Sequence, residues 1–267
     1  MNHLFRELAP IADAGWDAIS DEATMVLRQF LAGRKIVDFV GPKGWDHHAE
    51  ITGEVSELNG EGLPGVTTSL RKVQPLVELR VPFTLSRREI ENIDRGSETA
   101  DLSPITEAAR LLATAEDNAI FTGYPAAGIS GIAEASPHAP LDIGDDYEEY
   151  PSLVARAVAK LRTEGVAGPY AIALGPHCYQ GVVETTQRGG YPVFEHLRKI
   201  LEGPIVWAPS VSGAVIVSQR GGDYELVVGQ DISIGYDSHD SQSVSLYLEE
   251  SMTFRNLAPE AGIALIH

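Results

Sequence analysis

The segment between His47 and Arg80 constrains the fold of this chain most strongly. It alternates apolar and polar residues on either side of a glycine-rich tip, "NGEGLPG". This pattern predicts a long β-hairpin whose two strands flank an extended loop. Pro75 and Pro82 in the outgoing arm suit an edge strand or an isolated ribbon. Because a two-stranded ribbon is marginally stable alone, we expect it to pack on another structure, and a neighbouring subunit is the attractive partner.

Composition excludes several classes of protein. With 43% hydrophobic and 22% charged residues, the 267-residue chain is globular rather than disordered. The formal net charge of -18 opposes binding to the phosphates of nucleic acid and suits cations or basic peptides. Cys178 is the single cysteine, which rules out an internal disulfide framework. We find no secretory signal and no apolar run long enough to span a membrane, so we expect a soluble, cytoplasmic protein.

A first amphipathic helix is predicted over residues 20–31. Ser20 is its expected cap, Gly33 its stop, and its apolar face comprises Ile19, Ala23, Val26, Leu27 and Phe30. A short apolar stripe lies ahead of it, formed by Leu4, Phe5, Leu8 and Ile11. That stripe is either part of the core or a docking surface for a partner.

The strongest helix signal begins at Ser103, its expected cap. Pro104 occupies the first turn and Gly123 ends the helix. The chain from Gly123 to Pro151 is rich in glycine and proline, which predicts a loop that crosses between two domains. Its acidic run, "DDYEEY", is interpreted as a solvated face.

The remaining sequence predicts an insertion into the first domain. Residues 151–220 alternate helical patterns with short buried strands such as "YAIAL" and "AVIVS", which indicates a mixed α/β unit. From Gly221 onward the pattern is all strand, with "VSLYLEE" and "MTFRNL" read as two separate strands. The chain therefore leaves its first domain near Gly131 and returns to it near Gly221. The overall fold class is α+β.

No catalytic set emerges from the sequence. His47, His48 and Glu50 cluster closely, but adjacent histidines in a strand point to opposite faces and cannot easily share one metal ion. His177 and Cys178 are sequence neighbours, so a buried structural cysteine is favoured over a thiol nucleophile. The turns "GPKG" and "RGGD" lack the ending of a phosphate loop. We therefore expect a protein that is not an enzyme and holds no metal.

Several long motifs resemble those of encapsulins, also called linocin-type bacteriocins. They occur in the same order and at matching spacing over essentially the whole chain. They are "ELAPI", "LAGRKIVDFVGPKGW", "LRKVQPLVELRVPFTL", "AEDNAIFTGYPAAGISGI", "GPYAIALGP", "RGGDYELVVGQDISIGY" and "SMTFRNLAPEAGIAL".

The resemblance implies the fold of the Hong Kong 97 phage capsid protein, with a peripheral P domain, an axial A domain and an extended E loop. The corresponding boundaries are an N-terminal helix and P domain in residues 1–45, and the E loop in 46–80. The P domain continues with its spine helix in 81–131, the A domain occupies 132–220, and the P domain is completed by 221–267.

The resemblance also implies an icosahedral shell of about 60 subunits that encloses a cargo enzyme. Cargo is a ferritin-like iron oxidase or a dye-decolourising peroxidase with a C-terminal targeting peptide, which gives a role in iron storage or oxidative-stress defence. By resemblance, that peptide docks in a groove on the lumen side. The matching positions are Leu27, Phe30, Arg34, Asp38, Val40, Ile232, Ile234 and Tyr236. The alternative is that these residues only build the P-domain core.

Two further expectations come from the resemblance. The loop that surrounds the fivefold pore matches Gln187, Arg188, Gly189, Gly190 and Tyr191. Some members bind a flavin through an aromatic residue after the E loop, where this chain has "LSRREIEN" with Arg87 and Arg88. We therefore expect no flavin and no other cofactor.

Three other functions compete with the shell interpretation. A phage or prophage major capsid protein would share the fold, but the acidic charge does not suit a shell that packs DNA. A peptidase or metalloenzyme built around His47, His48 and Glu50 has no support in the sequence. A secreted antibacterial role, suggested by the older family name, conflicts with the missing signal peptide.

Overall fold

The computed structural model describes residues 3–58, 63, 65–144 and 146–266. They form two five-stranded mixed sheets with helices packed against them, and two separate pairs of strands, the longer of which is the predicted ribbon. Most of the glycine-rich tip predicted for the ribbon lies outside the described residues, and so does Asp145 of the acidic run.

The elements of the first half are α1 (Asp13–Phe30), β1 (Asp38–Val40), β2 (Ala49–Glu57), β3 (Ser69–Pro75), β4 (Val77–Ser86), α2 (Arg87–Asp94), α3 (Ser103–Phe121), β5 (Gly123–Tyr124), β6 (Ile129–Ser130) and α4 (Ile132–Ala135). Those of the second half are β7 (Leu141–Asp142), α5 (Tyr150–Thr163), β8 (Tyr170–Leu174), α6 (Pro176–Glu184), α7 (Val193–Leu201), β9 (Glu202–Trp207), β10 (Ala214–Ser218), β11 (Tyr224–Val228), β12 (Ser233–His239), β13 (Ser243–Asn256) and β14 (Gly262–Ile266).

The first sheet is organised around β13. β4 pairs with one edge of it in antiparallel register, while β12 and then β11 pair with the other edge. β1 runs parallel to β11 at the outside of the sheet. Alternate residues of β13, namely Val244, Leu246 and Leu248, are buried in an apolar cluster with α1 and α3. One face of this sheet is therefore packed against the two helices.

The second sheet has the strand order β7-β14-β10-β8-β9. The strands and helices predicted for residues 151–220 are present in it and around it. Residues 221–267 were expected to complete the first domain, but the last of their strands, β14, does not join the first sheet. Its backbone pairs instead with β10 and β7 of the second sheet. Nearly every residue of "GIALI" is buried, which suits a strand between two others.

Helix α1 begins at Asp13, seven residues before the predicted start, so Ser20 is an interior residue and not a cap. The buried face continues backwards from Ile19 to Gly15 at the same helical spacing. A Cβ atom at Gly15 would lie 2.8 Å from Ile11 and 3.5 Å from Ile90. The glycine therefore permits close packing of the first turn against α2, which the sequence pattern did not reveal.

Helix α3 starts at Ser103, but Ser103 does not cap it. The residue at the cap position is Leu102, whose side chain makes no capping bond. Asp101 caps the first turn instead, because its Oδ1 accepts a hydrogen bond from the backbone N–H of Ser103 at 3.0 Å. The bonds from Ser103 lower the pKa of Asp101, as expected for a carboxylate that caps a helix.

The predicted hairpin is confirmed by the antiparallel pairing of β2 with β3. Its register shifts between Ile51 and Val55, and Gly53 in that interval has a φ of 78°, which favours glycine. Residues 77–80, expected to end the hairpin arm, belong to β4 and pair with β13. Pro82 lies in β4, which is an edge strand of the first sheet.

Strand β13 corrects a second prediction, since "VSLYLEE" and "MTFRNL" form one strand of 14 residues. The polar residues Glu249, Glu250 and Ser251 suggested a turn between them. All three are buried within the continuous strand, and Glu250 is paired with Arg34. A long-range ionic contact therefore explains why Glu250 lies in mid-strand.

Candidate functional site

Most of the apolar positions predicted to dock a peptide lie together. Leu27 and Phe30 of α1, and Ile232, Ile234 and Tyr236 of β12 and the turn before it, all contact the apolar cluster between the first sheet and its helices. Ile234 is buried and the other four are partly exposed. The structure thus brings α1 and β12 to one apolar layer, and four of the five side chains retain an accessible part.

Phe30 joins this layer to the second sheet. Its ring meets Trp207 of β9 edge to face, with centroids 5.2 Å apart, and the guanidinium of Arg110 lies 5.3 Å from the ring centre. An open cleft of about 510 Å³ beside Trp207 is also lined by Lys35 and Tyr179. The sequence analysis missed Trp207, although a tryptophan near the end of a short apolar strand was a signal that could have been followed.

Arg34 has a different environment from the one expected of a docking residue. It lies in a short 3-10 turn, Gly33–Lys35, directly after α1. Its Nη2 contacts Glu116 and Glu250 at 2.6 Å each, and its Nη1 contacts Asp231 at 2.8 Å. Burial alone would lower the pKa of Arg34, but the bond to Glu116 and the charges of all three carboxylates raise it. Arg34 therefore acts as a clamp inside the fold.

Two of the three acidic partners of this clamp, Glu116 and Glu250, are fully buried. Asp117, which follows Glu116 in α3, is fully buried as well. Burial, followed by repulsion from Glu116, raises the pKa of Glu250 well above its ordinary value. Burial also raises the pKa of Asp117 to about 7, although the N–H groups of Gly33 and Ala32 donate to it at 2.8 and 3.1 Å. Arg34 thus offsets the buried charge of Glu116 and Glu250, while Asp117 is held by backbone N–H groups.

Asp38 and Val40 lie away from the β12 positions, on the outer strand β1. Asp38 is exposed, and its Oδ2 accepts a hydrogen bond from the N–H of Gly222 at 2.6 Å. Val40 pairs with Val227 of β11. Between them Phe39 is 40% exposed, and the guanidinium of Arg34 lies 5.1 Å from its ring centre. Phe39 is a further accessible aromatic residue that the sequence analysis missed.

The predicted pore-rim residues form a compact loop. The N–H of Gln187 donates to the carbonyl of Tyr191, and the side-chain Oε1 of Gln187 lies 2.8 Å from Nδ1 of His196. Gly189 and Gly190 have φ values of 105° and 79°, which require glycine for a turn this tight. Arg188 is exposed at the tip. The loop is thus anchored at its base while its tip is open to solvent.

The candidate metal and thiol residues have other contacts. Glu50 contacts Lys43, and its Oε1 lies 2.7 Å from Nε2 of His47. Within the described part of the chain no three His, Cys, Asp or Glu side chains are placed to hold a metal ion. Cys178 is fully buried in α6, as a structural cysteine would be. Over the same residues, no helix is both long and apolar enough to cross a membrane.

Comparison with known proteins gives one consistent result. The model of a family described as "Encapsulating protein for peroxidase" matches residues 1–253. A type 1 encapsulin shell protein of Rhodospirillum rubrum is 53% identical over 270 residues, which cover 99% of this chain and 96% of that protein. One from Mycobacterium tuberculosis is 44% identical over 267 residues and covers 100% of both chains.

Solved structures reveal the same fold at low identity. A virus-like particle from Pyrococcus furiosus aligns with a TM-score of 0.68 at 19% identity, covering 94% of this chain and 99% of that one. The capsid of the Myoviridae phage XM1 aligns with a TM-score of 0.54 at 14% identity, covering 88% and 89%. The predicted capsid-like α+β fold is therefore confirmed.

Proposed function

This chain belongs to the family of type 1 encapsulin shell proteins, and from that membership we propose that it assembles into a closed icosahedral cage of about 60 copies that encloses an enzyme. The shell itself performs no reaction in this proposal. Its expected location is the cytosol, as the family resemblance implies. The relatives and the capsid-like fold support assembly into a shell of many subunits.

The strongest support for assembly is the exposed apolar surface of the ribbon formed by β2 and β3. Four of its apolar side chains are more than half exposed in the single chain, namely Ile51 (78%), Val55 (62%), Leu70 (55%) and Val73 (55%). Soluble monomers seldom expose such a set on one element. A neighbouring subunit that covers the ribbon would bury these side chains and stabilise the shell.

The cargo's targeting peptide is proposed to bind in the groove beside α1. Leu27, Phe30 and Ile232 offer partly exposed apolar surface, which suits the apolar side chains of a targeting peptide. The exposed carboxylate of Asp38 would attract a basic residue in the same tail. Arg34 has a supporting role here, because three carboxylates already engage it.

The family description, "Encapsulating protein for peroxidase", favours a peroxidase as cargo, and a ferritin-like iron oxidase is the other candidate. Either would place the shell in oxidative-stress defence or iron storage. Small reactants would enter through a pore whose rim is the loop of Gln187, Arg188, Gly189, Gly190 and Tyr191. The exposed Arg188 would then give the pore a ring of positive charge.

Negative-stain electron microscopy of the protein, purified alone, tests assembly. Uniform closed particles are expected. A monodisperse small species, both alone and after co-expression with a candidate cargo, would contradict the proposal.

Cargo docking is tested separately in the assembled shell. A fluorescent protein that carries the candidate cargo's C-terminal tail should co-purify with wild-type shells. Asp38→Asn should weaken its capture, while the exposed Asp46→Asn serves as the matched control. Equal capture by both variants would remove Asp38 from the docking site and leave the shell proposal intact.

A further inference from the structure

A second recess lies on the face of the first sheet that is turned away from α1 and α3. Side chains alternate along β13, so Leu246 and Leu248 enter the apolar cluster while Tyr247 and Glu249 point to the opposite face. There they help to line a cleft of about 340 Å³. This cleft is therefore separate from the Leu27 and Phe30 side of the proposed docking groove.

Glu249 lines this cleft with an unsatisfied carboxylate oxygen. The residue is only 2% exposed, and among the described residues its Oε1 has no hydrogen-bond partner. The closest basic side chains are those of His3, whose Nε2 lies 3.6 Å from Oε1, and of Arg80, whose Nε lies 3.5 Å from Oε2. Both separations exceed a normal hydrogen bond. A buried carboxylate oxygen without a donor is costly, which makes it an acceptor for a group that enters the cleft.

The charges around the cleft favour a cation. Glu78 and Asp237 line it together with Glu249, against the single guanidinium of Arg80. Burial, followed by repulsion from Glu78, raises the pKa of Glu249, and Arg80 and His3 offset only part of this. An added positive charge would relieve the repulsion, whereas an anion would increase it.

Aromatic side chains line the cleft beside these carboxylates. Trp45 stacks on His3 with ring centroids 3.9 Å apart and is 43% exposed, and Phe5 is 44% exposed. The guanidinium of Arg80 already lies 3.5 Å from the ring centre of Tyr247. Phe5 has a φ of 50°, a conformation that is strained for a bulky residue and recurs at binding sites. Rings that flank carboxylates are the usual surroundings of an organic ammonium group.

We propose that this cleft binds a small organic cation, a primary ammonium group on a short alkyl chain. The ammonium donates to Oε1 of Glu249, and the alkyl chain lies against Trp45 and Phe5. A metal ion is a poorer fit, because the described residues offer no set of three ligating side chains there. Tyr236 of the proposed docking set also lines this cleft, whereas Glu249, Trp45 and Phe5 lie outside that set. Substitutions at these three residues therefore test the cleft separately from the cargo groove.

Isothermal titration calorimetry on the assembled full-length protein tests this site. The probe is 1,4-diaminobutane at constant ionic strength, and the uncharged 1,4-butanediol is its matched control. Saturable binding of the diamine and none of the diol are expected. Glu249→Gln, which keeps the shape of the side chain, should weaken diamine binding by about tenfold or more. Trp45→Leu should weaken it several-fold through the lost aromatic face.

A control is needed because a chain with net charge -18 attracts any cation. Glu107→Gln removes the same charge from a side chain on α3 that is 71% exposed, so diamine affinity should stay unchanged. Equal affinity of wild type and Glu249→Gln, or equal binding of diamine and diol, overturns the site. If Glu249→Gln does not assemble, Glu78→Gln at the rim should weaken binding about threefold, and an unchanged affinity there overturns it as well.

The same ammonium group occurs on free diamines and on lysine side chains. A second titration with N-acetyl-lysine-N-methylamide separates these sources. Tighter binding of the blocked lysine assigns the cleft to a lysine of a protein segment, and tighter binding of the diamine assigns it to a free small molecule. Failure of both probes to bind rejects the proposal.

Discussion

The guanidinium of Arg34 donates two hydrogen bonds to one oxygen of the fully buried Glu116, from Nη2 at 2.6 Å and from Nε at 2.9 Å. This pair connects the turn after α1 to the middle of α3. The same guanidinium contacts Glu250 in the centre of β13. One side chain thus ties together the turn after α1, helix α3 and strand β13.

Arg34→Met should destabilise the folded chain by about 3–5 kcal/mol, because it leaves Glu116 and Glu250 buried without a cation. Chemical denaturation of the unassembled chain, followed by circular dichroism, would measure the loss. Arg198→Met is the control, since its ion pair with Glu195 is exposed and contributes less than about 1 kcal/mol. Equal stability of the two variants would contradict the role of Arg34 as a clamp.

Asp117 should make the fold less stable as the pH rises. Burial raises its folded pKa from the ordinary 3.8 to about 7, so between these values the folded state keeps a proton that the unfolded state has lost. The stabilisation is therefore complete below about pH 4 and is lost as the pH rises through 7. Between about pH 5 and 7.5, ionisation of Asp117 alone lowers the free energy of unfolding by on the order of 2–3 kcal/mol.

Asp117→Asn should flatten that dependence, measured as the free energy of unfolding at several pH values. Asp101→Asn is the matched control. The pKa of Asp101 is lowered, so this carboxyl is ionised in both the folded and the unfolded state over the same pH range. A pH slope that is identical in wild type and Asp117→Asn would contradict the assignment of the raised pKa to Asp117.

Ile51→Lys should block assembly and leave the fold intact. Ile51 is 78% exposed in the single chain, so the substitution costs little there, but a covered ribbon would bury the new charge. Ser69→Lys adds the same charge to an exposed polar position of the same ribbon and should assemble more readily. Electron microscopy and size-exclusion chromatography report the assembled fraction. Normal particles from Ile51→Lys would show that this side of the ribbon remains open to solvent.

The net charge of -18 per chain should make shells less stable at low salt. Repulsion between subunits extends further when the Debye length grows from about 10 Å at 0.1 M to about 30 Å at 0.01 M. Light scattering during dilution into low-salt buffer would follow dissociation. Shells that resist dissociation equally at both salt concentrations would show that buried contacts outweigh the charge entirely.

Local patterns were sufficient to predict several elements. The alternation around the glycine-rich tip predicted the pairing of β2 with β3, and Pro104 marked the first turn of α3. These signals depend on neighbours in the chain, which is why they could be read in advance. The order of the long motifs also identified the capsid-like fold correctly.

The environments of the proposed docking residues and of the cleft residues required the tertiary structure. Sequence alone could not show that Arg34 is held inside the fold while Asp38 is exposed. The carboxylates that engage Arg34 lie 82 to 216 residues away in the chain. Trp207 reaches Phe30 only because β9 of the second sheet lies beside the end of α1. Glu249 was indistinguishable from a surface residue until β4 and β12 enclosed its strand.

The sequence by itself determined the family, the fold class, the ribbon and the absence of a recognisable catalytic motif, since each of these follows from short-range pattern or motif order. Tertiary structure alone decided that β14 joins the second sheet, that β13 runs unbroken through Glu249 and Glu250, and which carboxylates are buried. The physical reason is that burial and ion pairing depend on which distant segments meet. A polar residue can therefore lie in mid-strand when the fold brings it a partner.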